Sequence, residues 1–162
     1  VDNRVRFLAC CLVTVFVGFG CSEPNKLSLL DSSVRGPSGD ITVAGSVGVL
    51  RLVPGDCFLV GADEIEEVDA VPCDEDHQAE VFAVFDLAAT EWPGAGAVAQ
   101  VAKSGCLDRF RNATGHVFDP VHMAITGYAP SERSWKEDRR VLCVVTAHDV
   151  ALVRGRVTRR SG

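Results

Sequence analysis

Residues 80–86 read Glu80-Val81-Phe82-Ala83-Val84-Phe85-Asp86, five apolar side chains bracketed by two acids. Successive side chains of a strand point to opposite faces, so Val81, Ala83 and Phe85 fall on one side and Phe82 and Val84 on the other. A strand that is apolar on both faces belongs in the middle of a sheet. A second run of this kind is Arg140-Val141-Leu142-Cys143-Val144-Val145-Thr146-Ala147. Between the two lies a different rhythm. Val98, Ala102, Cys106 and Phe110 recur every fourth residue, with Val101 beside them, which predicts a helix from about Ala95 to Arg111 with one apolar stripe. Gln100, Lys103, Ser104 and Arg111 take its polar side, and Asn112 and Gly115 are suitable terminators.

Shorter pieces flank this centre. Val49–Val53 and Cys57–Val60 read as strands around a Pro54-Gly55 turn, and Val68–Val71 as another strand ending at Pro72-Cys73. Phe118–Tyr128 is ambiguous. Pro130, followed by Ser131-Glu132-Arg133-Ser134-Trp135, suggests a helical turn, and a last short strand runs Ala151–Val153. Strands, one long helix, then strands again indicate an α+β domain with a mainly antiparallel sheet.

The seven cysteines fall into two groups. Cys10, Cys11 and Cys21 sit in or after the apolar run Phe7–Phe19, which follows Arg4 and Arg6. That run makes roughly 20 Å of helix, against a hydrocarbon core of about 30 Å, so an export signal is favoured over a stable span. Gly20-Cys21 and the polar Ser22–Lys26 follow at once. This resembles a bacterial lipoprotein signal, which implies acylation of Cys21 and a membrane held through that lipid as partner. Phe19 and Gly18 depart from the residues usual before such a cysteine. A plain secretory signal and a retained anchor are the alternatives. Two acyl chains anchor stably where one binds marginally.

Residues 21–47 are rich in Ser, Gly and Pro and read as a flexible tether, with a weak strand at Ile41–Val43; the domain is expected over 48–160. The net charge of −6 becomes −7 without residues 1–20, because Arg4, Arg6 and Asp2 leave together. An acidic domain is a poor partner for nucleic acid, which needs a basic surface. Arg154, Arg156, Arg159 and Arg160 form a basic C-terminus that is read as solvated.

Cys57, Cys73, Cys106 and Cys143 are an even set suited to two disulfides, which persist outside the reducing cytoplasm. Three connectivities are open. Cys106 lies on the helix stripe, so a bond there would staple helix to sheet.

Pro54-Gly55-Asp56-Cys57-Phe58, Val71-Pro72-Cys73-Asp74-Glu75-Asp76-His77-Gln78-Ala79-Glu80-Val81, Cys106, Pro130 with Ser134-Trp135, and Asp138–Cys143 resemble, as an ordered set over about residues 48–150, the Septum formation domain of bacterial envelope proteins. The resemblance implies an exported or tethered protein linked to cell division, with envelope or cell-wall proteins as partners; no enzymatic activity follows from it, and none is expected. It also supports pairing the cysteines in order, Cys57–Cys73 and Cys106–Cys143.

Other chemistry is weaker. A zinc site could be drawn from Cys73, His77 and Cys57, but the close ligand pairs of structural zinc are missing. No cofactor, metal or catalytic set is expected. A thiol-redox or hydrolytic enzyme using Cys57, Cys73 and His77 is the competing reading, although Gly-x-Ser-x-Gly is absent. His77 could be charged and pair with Asp74, Glu75 or Asp76; the simpler reading is a loop histidine bonded at the start of the next strand. The eight acids between Asp63 and Asp76 lack Ca²⁺-loop spacing and read as a solvated loop. Trp92 and Trp135 are read as core anchors.

Overall fold

The computed structural model describes residues 31–61 and 66–159. Eight strands and one helix follow the chain: β1 (Val34–Arg35), β2 (Ile41–Val43), β3 (Gly45–Gly48), β4 (Cys57–Leu59), β5 (Glu67–Val71), β6 (Ala79–Asp86), α1 (Ala95–Thr114), β7 (Met123–Tyr128) and β8 (Arg140–Ala147). β3 to β8 form one antiparallel sheet in the order β3-β5-β4-β6-β8-β7, and β1 and β2 form a separate ribbon. The α+β reading holds. β6 and β7 run parallel with β8 antiparallel between them, so α1 is the crossover that carries the chain over one face of the sheet. No helix among the described residues is long and apolar enough to cross a membrane.

Each face of the sheet has its own core. Val98, Ala102, Cys106 and Phe110 of α1 pack with Phe82, Val141, Cys143 and Val145 on one side. The opposite side gathers Val47, Phe58, Val68, Ala70, Val81, Leu142 and Val144. That second cluster runs along the face from β3 to β8. Central β8 alternates between the two cores as a doubly buried strand should.

β6 does not alternate as its sequence predicts. Val81 pairs with Val144 and Ala83 with Cys143, which leaves Phe82 as an extra residue in a bulge. Beyond it the phase reverses, so Val81 and Val84 share one core while Phe82, Ala83 and Phe85 meet the helix side. The bulge brings Phe82 edge-on to Phe110, with ring centroids 5.3 Å apart.

α1 runs to Thr114, three residues beyond the expected end, because Asn112 does not stop it. Gly115 does: its left-handed φ of 81° lets its N–H reach the Arg111 carbonyl at 2.8 Å. Val101 is half exposed and off the stripe. Trp135 is buried, donates its indole N–H to the Thr90 carbonyl at 3.2 Å and meets Trp92 edge-on, as core anchors.

Three expectations are corrected. Residues 34–47, placed in the tether, are ordered into β1, β2 (the strand expected at Ile41–Val43) and most of β3, and Ile41 and Val47 are core residues. Val49–Arg51 is a 3-10 turn rather than a strand. Ala151–Val153 contributes a single bridge, Val153 to His77. β3 escapes a pattern search because Gly45-Ser46-Val47-Gly48 carries one large apolar side chain. A Cβ on Gly45 would lie 2.4 Å from the Ser33 nitrogen, so glycine there admits the incoming chain. Cys21 lies outside the described residues, as does the stretch 1–30.

Candidate functional site

Both predicted disulfides are formed. Cys57–Cys73 joins β4 to the residue after Pro72 with Cα atoms 5.2 Å apart, and Cys106–Cys143 joins α1 to β8 across 5.4 Å. Cys106 and Cys143 are fully buried, whereas Cys73 retains slight exposure and lies 3.2 Å from the Gly55 carbonyl. The sulfurs of Cys57 and Cys73 are bonded to each other, so neither is a thiolate available to a metal or a substrate. Among the described residues no group of three or more His, Cys, Asp or Glu side chains is placed to hold a metal ion.

The Gly55-Asp56-Cys57 motif is a backbone device. Gly55, at φ 95°, donates to the Val81 carbonyl at 2.7 Å, and Val81 donates to the Asp56 carbonyl at 2.9 Å. The buried Asp56 carboxylate accepts the Val53 N–H at 2.8 Å and both arms of the Arg35 guanidinium at 2.7 Å. This fork geometry raises the Arg35 pKa, chiefly through its hydrogen bonds to Asp56.

The C-terminal segment is not a solvated tail. Residues 150–159 cross the outside of the 73–80 loop as a strap. Val153 and His77 exchange backbone hydrogen bonds of 2.8 and 3.0 Å, and Gly155 donates to the Cys73 carbonyl at 2.7 Å. Arg154 bonds Asp76 at 2.5 Å and Arg156 bonds Asp40 at 2.7 Å. Glu80 holds the end of the strap. Its buried carboxylate accepts the N–H of Val157 at 2.5 Å, the N–H of Thr158 at 3.0 Å and the Thr158 hydroxyl. A buried carboxylate needs such donors, and backbone amides of a strap supply them. Arg159 then donates to the Ala113 carbonyl at the end of α1, at 3.1 Å.

His77 sits under this strap and is 1% exposed. Its Nδ1 lies 2.9 Å from the Glu75 carbonyl oxygen, and Nε2 is buried without a hydrogen-bond partner. The expected bond to the start of the next strand is corrected: the His77 backbone pairs with Val153 of the strap and its ring meets Glu75, because the strap lies alongside it. Of the acids beside it, Asp76 pairs with Arg154. A cleft of about 240 Å³ opens between His77–Glu80, Val145–Ala147 and the strap. The structure thus brings Cys57, Cys73 and His77 into one region and places Cys106 and Cys143 across the helix interface. Sequence reading missed Arg35 and Glu80. An acid inside an otherwise apolar strand start was the available signal for Glu80.

The family model described as Septum formation matches residues 54–162. The match begins at the Pro54-Gly55 turn and takes in the strap, beyond the motif positions read from sequence. A search of curated proteins and a search of solved structures each find no significant match. The match spans two-thirds of the chain and carries its disulfides, its central strands and its helix, so the chain belongs to the Septum formation family, which ties it to cell division or the cell envelope.

Proposed function

We propose that this chain is exported, held to the outer face of the cell membrane by lipid on Cys21, and acts there by binding other envelope or wall components rather than by catalysis. The observation that carries the reading is the pair of closed disulfides, Cys57–Cys73 and Cys106–Cys143, which suit an oxidising compartment. The membership in a Septum formation family supports an envelope role, and the short apolar run ending at Gly20-Cys21 supports a lipid anchor over a span. Acidic character opposes nucleic acid as a partner.

Labelling cells with radioactive palmitate tests the anchor: incorporation is expected in the wild type and lost in Cys21→Ser, and label that survives the substitution removes the lipid from this account. Thiol titration of the native domain tests the non-catalytic part. No reactive thiol among Cys57, Cys73, Cys106 and Cys143 is expected; one pair reduced under mild conditions would favour redox chemistry instead.

A further inference from the structure

We propose that residues 151–159 are a hinged strap that opens as one unit about Val150, uncovering His77 and the Glu80 carboxylate while the sheet and helix stay folded. This conformational device goes beyond the proposed envelope role and does not depend on it.

The hinge is a strained residue. Val150 lies three positions past the end of β8 with φ 55°, the one non-glycine residue with a left-handed backbone among the described residues. A β-branched side chain is crowded in that region, so the closed strap carries an energetic cost at this position. Such a conformation persists where the surroundings hold it. Here the Val150 N–H donates to the Ala147 carbonyl at 3.0 Å, and the Gln78 amide donates to the Val150 carbonyl at 3.2 Å. Opening lets Val150 return to an ordinary backbone.

Beyond the hinge, polar contacts hold the strap more than burial does. Val157 is partly buried against the helix-side core, and no other residue of 151–159 belongs to either core. Leu152 and Val153 are exposed. Attachment rests on the Val153–His77 backbone pair, on Gly155 to Cys73 and Arg159 to Ala113, and on the three donors to Glu80. The ion pairs of Arg154 with Asp76 and Arg156 with Asp40 complete it. A segment with few buried apolar contacts opens at a lower free energy than the domain around it. On opening, the strap amides, both arginines and Glu80 exchange protein partners for water together, so no single partner is left buried alone. The chain also regains its conformational entropy. β8 differs: it is paired on both sides and its middle residues are buried, so it stays closed.

Amide hydrogen exchange of the whole chain tests this, with mass spectrometry reading the reaction of each histidine with diethyl pyrocarbonate. The amides of Val153, Gly155, Val157, Thr158 and Arg159 should share one protection level, about a hundredfold or more below that of the β8 amides. Raising salt from about 0.05 to about 0.5 M should lower strap protection about threefold by screening the two ion pairs, with β8 unchanged. Val150→Asn, which tolerates a left-handed backbone, should raise strap protection about fivefold. Val150→Pro fixes φ at about −65° and removes the N–H bonded to Ala147, so it should release the strap and make His77 reactive while β8 stays protected. Strap amides protected as strongly as β8, a Val150→Asn strap no better protected than the wild type, or a folded Val150→Pro protein with unreactive His77 overturns the proposal. If Val150→Pro fails to fold, the wild-type exchange pattern and Val150→Asn still decide it.

Discussion

Asp56 is 2% exposed and belongs to the Gly55-Asp56-Cys57 motif, yet the residue that neutralises it, Arg35, lies outside the family match. Removing Arg35 would leave a buried carboxylate with the Val53 N–H as its remaining donor. Arg35→Ala should therefore cost about 2–3 kcal/mol in urea unfolding, and Arg35→Lys less, because a lysine keeps the charge but loses the fork. A cost below about 0.5 kcal/mol for Arg35→Ala would show that the pair contributes nothing to folding. Asp76 offers a pH handle on the strap. Its hydrogen bond to Arg154 holds its pKa below the ordinary 3.8. A depressed carboxyl stabilises the fold fully above its unfolded value and loses that contribution as pH falls through its folded value. Carboxyl NMR should find Asp76 titrating below the ordinary range, and Arg154→Gln should return it upward; an unmoved titration would place the Arg154 contact outside the solution structure. Neither partner was legible in the sequence. Ion pairs spanning 21 and 78 positions leave no local pattern, and only the folded chain brings the charges together.

At the scale of elements, the four-residue stripe of α1 was readable because burial on one face imposes a 3.6-residue period. What the pattern omits is how closely helix and sheet approach. A Cβ on Gly105 would stand 2.4 Å from the Phe85 ring, and one on Gly127 would stand 3.1 Å from the Cβ of Ala102. Gly105→Ala gains about 1 kcal/mol of helix propensity but meets an overpacking cost of about 1–3 kcal/mol. Net destabilisation by up to about 2 kcal/mol is expected in thermal melts. A stabilised Gly105→Ala protein would mean that Phe85 swings away freely. The phase of β6 was misread for a related reason. A bulge adds a residue without changing composition, so strict alternation assigns Ala83, Val84 and Phe85 to the wrong faces. β3 was missed altogether, since two glycines and a serine show no hydrophobic period. Its strand character comes from pairing with β5.

The whole molecule carries two covalent links, one between neighbouring strands of the sheet and one from helix to sheet. Cys57–Cys73 spans 16 positions and Cys106–Cys143 spans 37. In the chain-entropy account these contribute about 3 and 4 kcal/mol respectively. Replacing Cys106 and Cys143 by Ala should lower stability more than replacing Cys57 and Cys73, by the longer loop and by the volume lost from a fully buried site. Paired urea titrations check this, and the reverse order would show that the strap region, not the helix interface, limits unfolding.

The amino-acid sequence by itself determined the α+β class, the central strands, the helix and the residues able to form disulfides, because burial writes a period into neighbouring positions. It also carried the motif order by which the family is recognised. The tertiary structure decided the extent of the domain back to residue 34, the pairing of Arg156 and Arg154 with Asp40 and Asp76, and the burial of Glu80 and His77 beneath the strap. Those outcomes depend on which distant donor meets which buried acceptor, and only packing sets that.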